Sequence, residues 1–393
     1  MILVVDKKRR LIILFIIVLF SPFYLLYILI KRNFGVRKKE KIIEDLANGN
    51  IKNIYINMAD RFGDNLLSMP LVASLKKNFP NIRLVVLTNQ AGKEIYKNNP
   101  HVDKIILIKN NWINQSSVDI IGFLKTFNKE YFKKILELRK EKIDLLLEIK
   151  GDFRNIIFFN IWLNARFIAG YALSGFGKLL DWEMEYEKNK HEIDVKLNIA
   201  KFLGASSVNR KMNFYLAEED QEFARNFYKE KNIKEKTAVV IHVGGTWEPK
   251  LWMVDNFIEI GRRLKNKYGF KIILINKKSE EEKNKIFVAA MPETILAGNL
   301  TVGQSAAIMK NAVLFIGNDS GPMHLARSLE VPIVVIIGAE LPSRVGPEEY
   351  GVVVRHDFTC QPCGQTICKK HPNCISGIEV DEVWQVIEKY LIF

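Results

Sequence analysis

From residue 53 onward the chain alternates short, almost wholly apolar runs with longer amphipathic stretches, and the apolar runs end in Gly, Asp or Asn. Apolar runs bounded by such turn residues read as buried strands, and the stretches between them carry helical periodicity. Strands are predicted at 53–58, 82–88, 104–108, 144–149 and 167–170, then at 237–243, 271–275, 294–297, 312–317 and 332–338. Strands separated by helices cannot pair as hairpins; they form parallel sheets covered on both faces. Two such series, joined through the polar stretch 206–235, predict an α/β protein of two doubly wound, Rossmann-like domains, 42–212 and 213–393. A cleft between the domains is expected, with ligands at the carboxyl ends of the strands. Hydrophobic residues make up 48% of 393 residues, enough for a core in each domain. The stretch 125–142, with mixed charge and an apolar stripe, reads as a solvated core helix rather than a membrane contact.

The first 41 residues are of another kind. Ten Lys/Arg stand there against Asp6 and Glu40, which is +8 of the formal net charge of +14. Between the basic clusters, residues 11–30 (LIILFIIVLFSPFYLLYILI) are uncharged. Twenty residues at about 1.5 Å rise span roughly 30 Å, one hydrocarbon thickness. The run is too long for a signal-peptide core and no small-residue cleavage site follows it. It is expected to be a membrane anchor, either spanning or, with Ser21-Pro22 at its midpoint, re-entrant. The excess of positive charge after the run places the body at the cytoplasmic face of the inner membrane, against anionic lipids and not nucleic acid.

No phosphate-binding P-loop, no G-x-G-x-x-G turn and no D-x-D metal clamp is present, which argues against P-loop ATPases, ordinary dehydrogenases and the usual metal-dependent sugar transferases. Four other patterns carry chemistry. Asp60-Arg61-Phe62-Gly63-Asp64-Asn65 follows the first strand, where Asp64 is either a general base or a helix N-cap. His242-Val243-Gly244-Gly245-Thr246, with Lys250 after it, offers close backbone approach, a hydroxyl and a cation to a phosphate, or is a plain Gly-rich loop. Asp319-Ser320-Gly321-Pro322-Met323-His324 opens a helix after the strand AVLFI, and free amides at a helix start make a diphosphate seat. Finally, Cys360, Cys363, Cys368 and Cys374 place all four cysteines within fifteen residues, as a structural Zn²⁺ site, paired disulfides or free thiols.

Taken in order, these segments resemble the ADP-heptose:lipopolysaccharide heptosyltransferase family, glycosyltransferase family nine, from about residue 53 to 387. RFGDNLLSMPLVASLKKNFPNIRLVVLT resembles the family's opening strand–turn–helix–strand, and HVGGTWEPKLWMVDNF its donor-phosphate loop. AGNLTVGQSAAIMKNAVLFIGNDSGPMHLARSLEVPIVVIIG resembles its donor signature, and CQPCGQTICKKHPNCISGI the cysteine-bearing tail of many members. The resemblance implies a GT-B fold and inversion at the anomeric carbon with no cofactor required. It implies Asp64 as base, and Lys250 with Gly245 and Thr246 on the donor phosphates. Asp319, Ser320, Gly321, Pro322, Met323 and His324 would form the rest of the donor seat. The acids at 280–282 fall where the family holds a ribose-binding acid; Glu281 is taken for that role, although Asn276-Lys277-Lys278 replace the usual Gly-rich lead-in. The expected donor is ADP-heptose and the expected acceptor a lipid-linked glycan. The alternatives are a UDP- or GDP-sugar donor, or a tethered nucleotide-sugar-binding scaffold without turnover.

Overall fold

The computed structural model describes residues 38–109, 127–245, 247–275, 280–363, 367–368 and 373–391. The run 11–30 read as an anchor lies outside them. Among the described residues no helix is long and apolar enough to cross a membrane. The chain divides after Arg210 into two compact units.

In the first unit six strands form one parallel sheet: β1 Asn53–Asn57, β2 Arg83–Thr88, β3 Lys104–Leu107, β4 Leu145–Glu148, β5 Phe167–Gly170 and β6 Trp182–Glu183, in the order β3-β2-β1-β4-β5-β6. Every pairing is parallel. Ile54, Tyr55 and Ile56 are all fully buried, as strands covered on both faces must be. β1 pairs with β4 so that Asn57 stands opposite Glu148, which sets two polar residues side by side at the carboxyl ends. Beside them Gly170 has φ 142°, and a Cβ there would lie 2.0 Å from the Glu148 carbonyl oxygen, so only glycine fits.

The second unit repeats the plan with β7 Ala238–His242, β8 Lys271–Ile275, β9 Ile295–Ala297, β10 Leu314–Asn318, β11 Ile333–Ile336 and β12 Gly351–Val354. The order is β12-β11-β10-β7-β8-β9, again all parallel, the same plan as the first sheet read from the opposite edge. In such sheets the chain winds outward in both directions from the two central strands. The crevice between them at their carboxyl ends is where ligands bind. The switch points are β1/β4 in one unit and β7/β10 in the other.

Two strands escape the sequence reading, and both are edge strands: β6 is two residues long, and β12 lies among residues only partly buried. Part of the basic cluster assigned to the membrane flank is also structural. Helix Lys38–Ala47 buries Ile42 and Leu46, Lys38 pairs with Asp181 at 2.5 Å, and Lys41 pairs with Asp45 at 3.1 Å.

Candidate active site

At the first unit's switch point the chain leaves β1 and turns through Asp60 into helix Phe62–Leu67. Asn65 fixes this turn: its amide nitrogen donates to the carbonyls of Asp60 at 3.1 Å and Arg61 at 2.9 Å. The N-cap of the helix is Arg61, with no side-chain cap bond. Asp64 is therefore the third helical residue, and the capping alternative for it is not realised. Its carboxylate belongs to a cluster of charges that includes Asp60 and Lys150. Lys150, two residues past β4, forms an ion pair with the buried Asp60. Burial and then the neighbouring Asp64 charge push the Asp60 carboxyl up to about 6, against the pull of Lys150.

Behind this pair lies Glu148, fully buried. It accepts from Asn160 Nδ2 at 2.7 Å and from the amides of Lys150 at 3.1 Å and Gly151 at 3.0 Å. Burial nevertheless pushes its carboxyl up to about 7. A carboxyl whose folded pKa lies above its unfolded value contributes stability that is complete below the unfolded pKa and is lost as pH rises through the folded one. Thermal melts of the full chain should therefore lose stability between about pH 4.5 and 7.5, with a Glu148 contribution of at most about 3 kcal/mol. Glu148→Gln should flatten that slope; an unchanged slope would show that Glu148 is ionised throughout.

The second switch point is held by Asn318, the last residue of β10, which is fully buried. Its amide nitrogen donates to the carbonyls of Val243 at 3.3 Å and Gly244 at 3.2 Å, and its oxygen accepts from the Trp252 amide at 3.0 Å. One side chain thus clamps both ends of the loop that carries Lys250. Lys250 Nζ lies 2.5 Å from Asp319 Oδ2 and 3.9 Å from Glu340 Oε1. Asp319 and Lys250, 69 residues apart, are brought together as the sequence patterns imply for one site. Ser320 is the N-cap of helix Gly321–Ser328, with no side-chain cap bond. Its hydroxyl lies 3.4 Å from His242 Nδ1 instead. The helix start, with Pro322 in its first turn, is thus uncapped by its own side chain. Met323 and His324 follow, both buried in that first turn. Gly245 lies in the loop after β7 with φ 158°, and Thr246 lies outside the described residues.

Two expectations need correction or qualification. The acid that reaches this site is Glu280, not Glu281. Glu280 Oε2 is 3.2 Å from His242 Nε2, and its carboxylate occupies the space a Cβ on Gly244 would need, 1.9 Å away. Helix Glu281–Ala290 begins one residue later, which turns Glu281 outward: it is 59% exposed and pairs with Lys285 at 2.9 Å. The four cysteines are all free; Cys374 is buried and Cys360 exposed. Among the described residues no three His, Cys, Asp or Glu side chains gather to hold a metal. The segment does dock on the loops after β7 and β11: the Cys363 amide donates to the Ala339 carbonyl at 2.7 Å and the Cys368 amide to Glu248 Oε2 at 3.2 Å.

Lys150 and Glu148 were missed from sequence. The signal was present, since Glu148-Ile149-Lys150-Gly151-Asp152 ends a predicted strand with charge and glycine, as the other motifs do.

Two doubly wound parallel domains, each with polar groups at its switch point, are built like the GT-B glycosyltransferases. The crystal structure of a family 9 glycosyl transferase from Veillonella parvula superposes with a TM-score of 0.74 at 22% identity, covering 87% of this chain and 97% of that one. ADP-heptose LPS heptosyltransferase II of E. coli superposes with a TM-score of 0.67 at 16% identity, covering 87% and 99%. Among sequences, lipooligosaccharide heptosyltransferase 2 of Campylobacter jejuni is 22% identical over 86% of this chain and 98% of its own. Lipopolysaccharide heptosyltransferase 3 of Escherichia coli is 26% identical over 70% and 81%. The sequence model of glycosyltransferase family 9 (heptosyltransferase) matches residues 132–373, and the chain belongs to that family: it is a glycosyltransferase.

Proposed function

We propose that the chain transfers heptose from ADP-heptose to a lipopolysaccharide core or related envelope glycolipid at the cytoplasmic face of the inner membrane, with inversion at the anomeric carbon. The names of its relatives support the sugar and the acceptor class. A relative from E. coli crystallised with an ADP-heptose analogue supports the nucleotide. The observation that carries the reading is the Lys250–Asp319 pair beside the uncapped start of helix Gly321–Ser328. A lysine and free helix amides supply positive potential where a diphosphate would leave.

In the reaction, Asp64 takes the proton of the acceptor hydroxyl. The hydroxyl oxygen forms the new bond to the anomeric carbon from the face opposite the leaving diphosphate. The bond from that carbon to the diphosphate oxygen breaks, and its electron pair departs with ADP. Lys250 and the amides of the first helical turn then carry the leaving charge, the role a divalent ion fills elsewhere. Glu280 is the acid placed to meet a ribose hydroxyl. For the cysteine segment we propose a structural task, as a thiol-ligated zinc or as free thiols, in holding the loops after β7 and β11.

The test is calorimetric binding of ADP, UDP and GDP to the full chain in detergent with a chelator present, followed by turnover with the matching donor. ADP should bind at least tenfold more tightly than the other two. Preference for UDP or GDP would move the protein to another glycan, and binding without turnover on any lipid-linked acceptor would favour a scaffold. A strict Mg²⁺ requirement would sink the leaving-group account.

A further inference from the structure

Helix Lys129–Leu138 in the first unit turns Tyr131, Ile135 and Leu138 into the core. Those three satisfy the packing demand of an ordinary surface helix, so its opposite face should be polar. It is not. Phe132 is 53% exposed and Leu136 60% exposed, one turn apart on the same outward stripe. At 100° per residue, Lys129 falls beside that stripe and Lys133 on its border with no acid between them, and Arg139 and Lys140 follow in the turn that ends the helix. Glu130 and Glu137 sit on one flank, where they pair with Lys109 at 3.2 Å and Lys134 at 2.8 Å. Among the described residues none of Lys129, Lys133, Arg139 and Lys140 forms an ion pair.

We infer that this face is a docking surface for an anionic lipid bilayer, with Phe132 and Leu136 entering the headgroup region and the four cations meeting lipid phosphates. Large apolar side chains among unpaired cations are what an interfacial helix presents. A protein partner would as a rule also be met by acids, and isolated exposed apolar side chains would need no cations around them. The chain's own layout points the same way. Helix Lys38–Ala47 packs on this unit, and only residues 31–37 separate it from the apolar run 11–30. Seven extended residues reach at most about 25 Å. If the run 11–30 inserts, Lys38 at the start of that helix is held within that distance of the headgroups, which keeps the first unit at the bilayer. The surface rests on the proposed membrane location but on no assignment of donor or acceptor.

The test uses the full chain carrying the photo-crosslinker p-benzoylphenylalanine at position 132, 136 or 268, the last being Tyr268 on the second unit. The probe surface is phosphatidylcholine vesicles with or without phosphatidylglycerol, and adducts are read by mass spectrometry. Lipid adducts are expected at 132 and 136 and not at 268, with higher yield when phosphatidylglycerol is present. Lys133→Glu combined with Arg139→Glu should cut that yield at least tenfold, at roughly fivefold per charge. Its far-UV dichroism and melting should match the parent. Phe132→Ser gives an uncharged second variant and should lower the yield at 136. Flotation on phosphatidylcholine alone reports the 11–30 anchor separately from the helix face. Absence of lipid adducts, equal adducts at 268, or adducts only to a second polypeptide would each overturn the surface, and none of these bears on nucleotide binding.

Discussion

Replacing Lys250 with methionine should lower kcat by about 10²–10³-fold, the loss that follows removal of one preorganised group facing developing charge. The expectation rests on how the lysine is held. Asn318 clamps both ends of its loop, and the Asp319 carboxylate grips the ammonium at 2.5 Å. A cation fixed before the donor arrives needs no reorganisation when the diphosphate begins to leave. The same pair makes the variant less stable. Asp319 is 4% exposed and Glu340 lies 3.9 Å from the same ammonium, so removing Lys250 leaves a buried carboxylate without its cation. Breaking a fully buried pair costs about 3–5 kcal/mol; with the lysine partly exposed, about 2 kcal/mol is expected. Stability and catalysis can then be separated. Lys250→Met with Asp319→Asn should recover most of the melting temperature and none of the turnover. Full activity in Lys250→Met, measured as initial rate at saturating donor, would remove the lysine from the mechanism.

How far the sequence reveals this site depends on the kind of signal. Strand ends were legible because a buried parallel strand is continuously apolar and must stop at a turn. Asp60, His242 and Asn318 are therefore readable as strand ends, whereas the sheet order that makes those strands central is not. Phase within a turn was not legible. Glu280 and Glu281 differ by one residue, about 100° of helix, and only the start of the helix at Glu281 decides which of them meets His242. Tertiary ion pairs were hidden for another reason. Lys150 reaches Asp60 across 90 residues, and no local pattern encodes that meeting. The helix at 129–138 shows periodicity at its limit: five of ten residues are large and apolar, enough for two faces. The pattern alone could not show that Phe132 and Leu136 turn away from the core.

Asp64→Asn should reduce kcat/KM by about 10³-fold while leaving ADP binding and the melting temperature nearly unchanged. Loss of a positioned general base costs about 10²–10⁴-fold, and asparagine keeps the shape of the side chain while removing its proton affinity. Small effects on stability are expected because Asp64 caps nothing: Arg61 holds the N-cap position and Asn65 holds the turn. The rival base is Asp60, close enough that the two carboxylates feel each other. Its position argues against it. Asp60 is buried, and its Oδ1 carries both the Lys150 ion pair and, at 2.7 Å, the Arg61 amide, a structural task that competes with base catalysis. Asp60→Asn should accordingly strip Lys150 of its partner, lower the melting temperature and reduce activity by less than Asp64→Asn does. Lys150→Met separates the two roles further, since it should weaken the fold and shift the pH–rate profile through its effect on the neighbouring carboxylates. If Asp60→Asn proves inactive at full stability while Asp64→Asn turns over normally, the proton goes to Asp60, and Asp64 merely raises its neighbour's pKa.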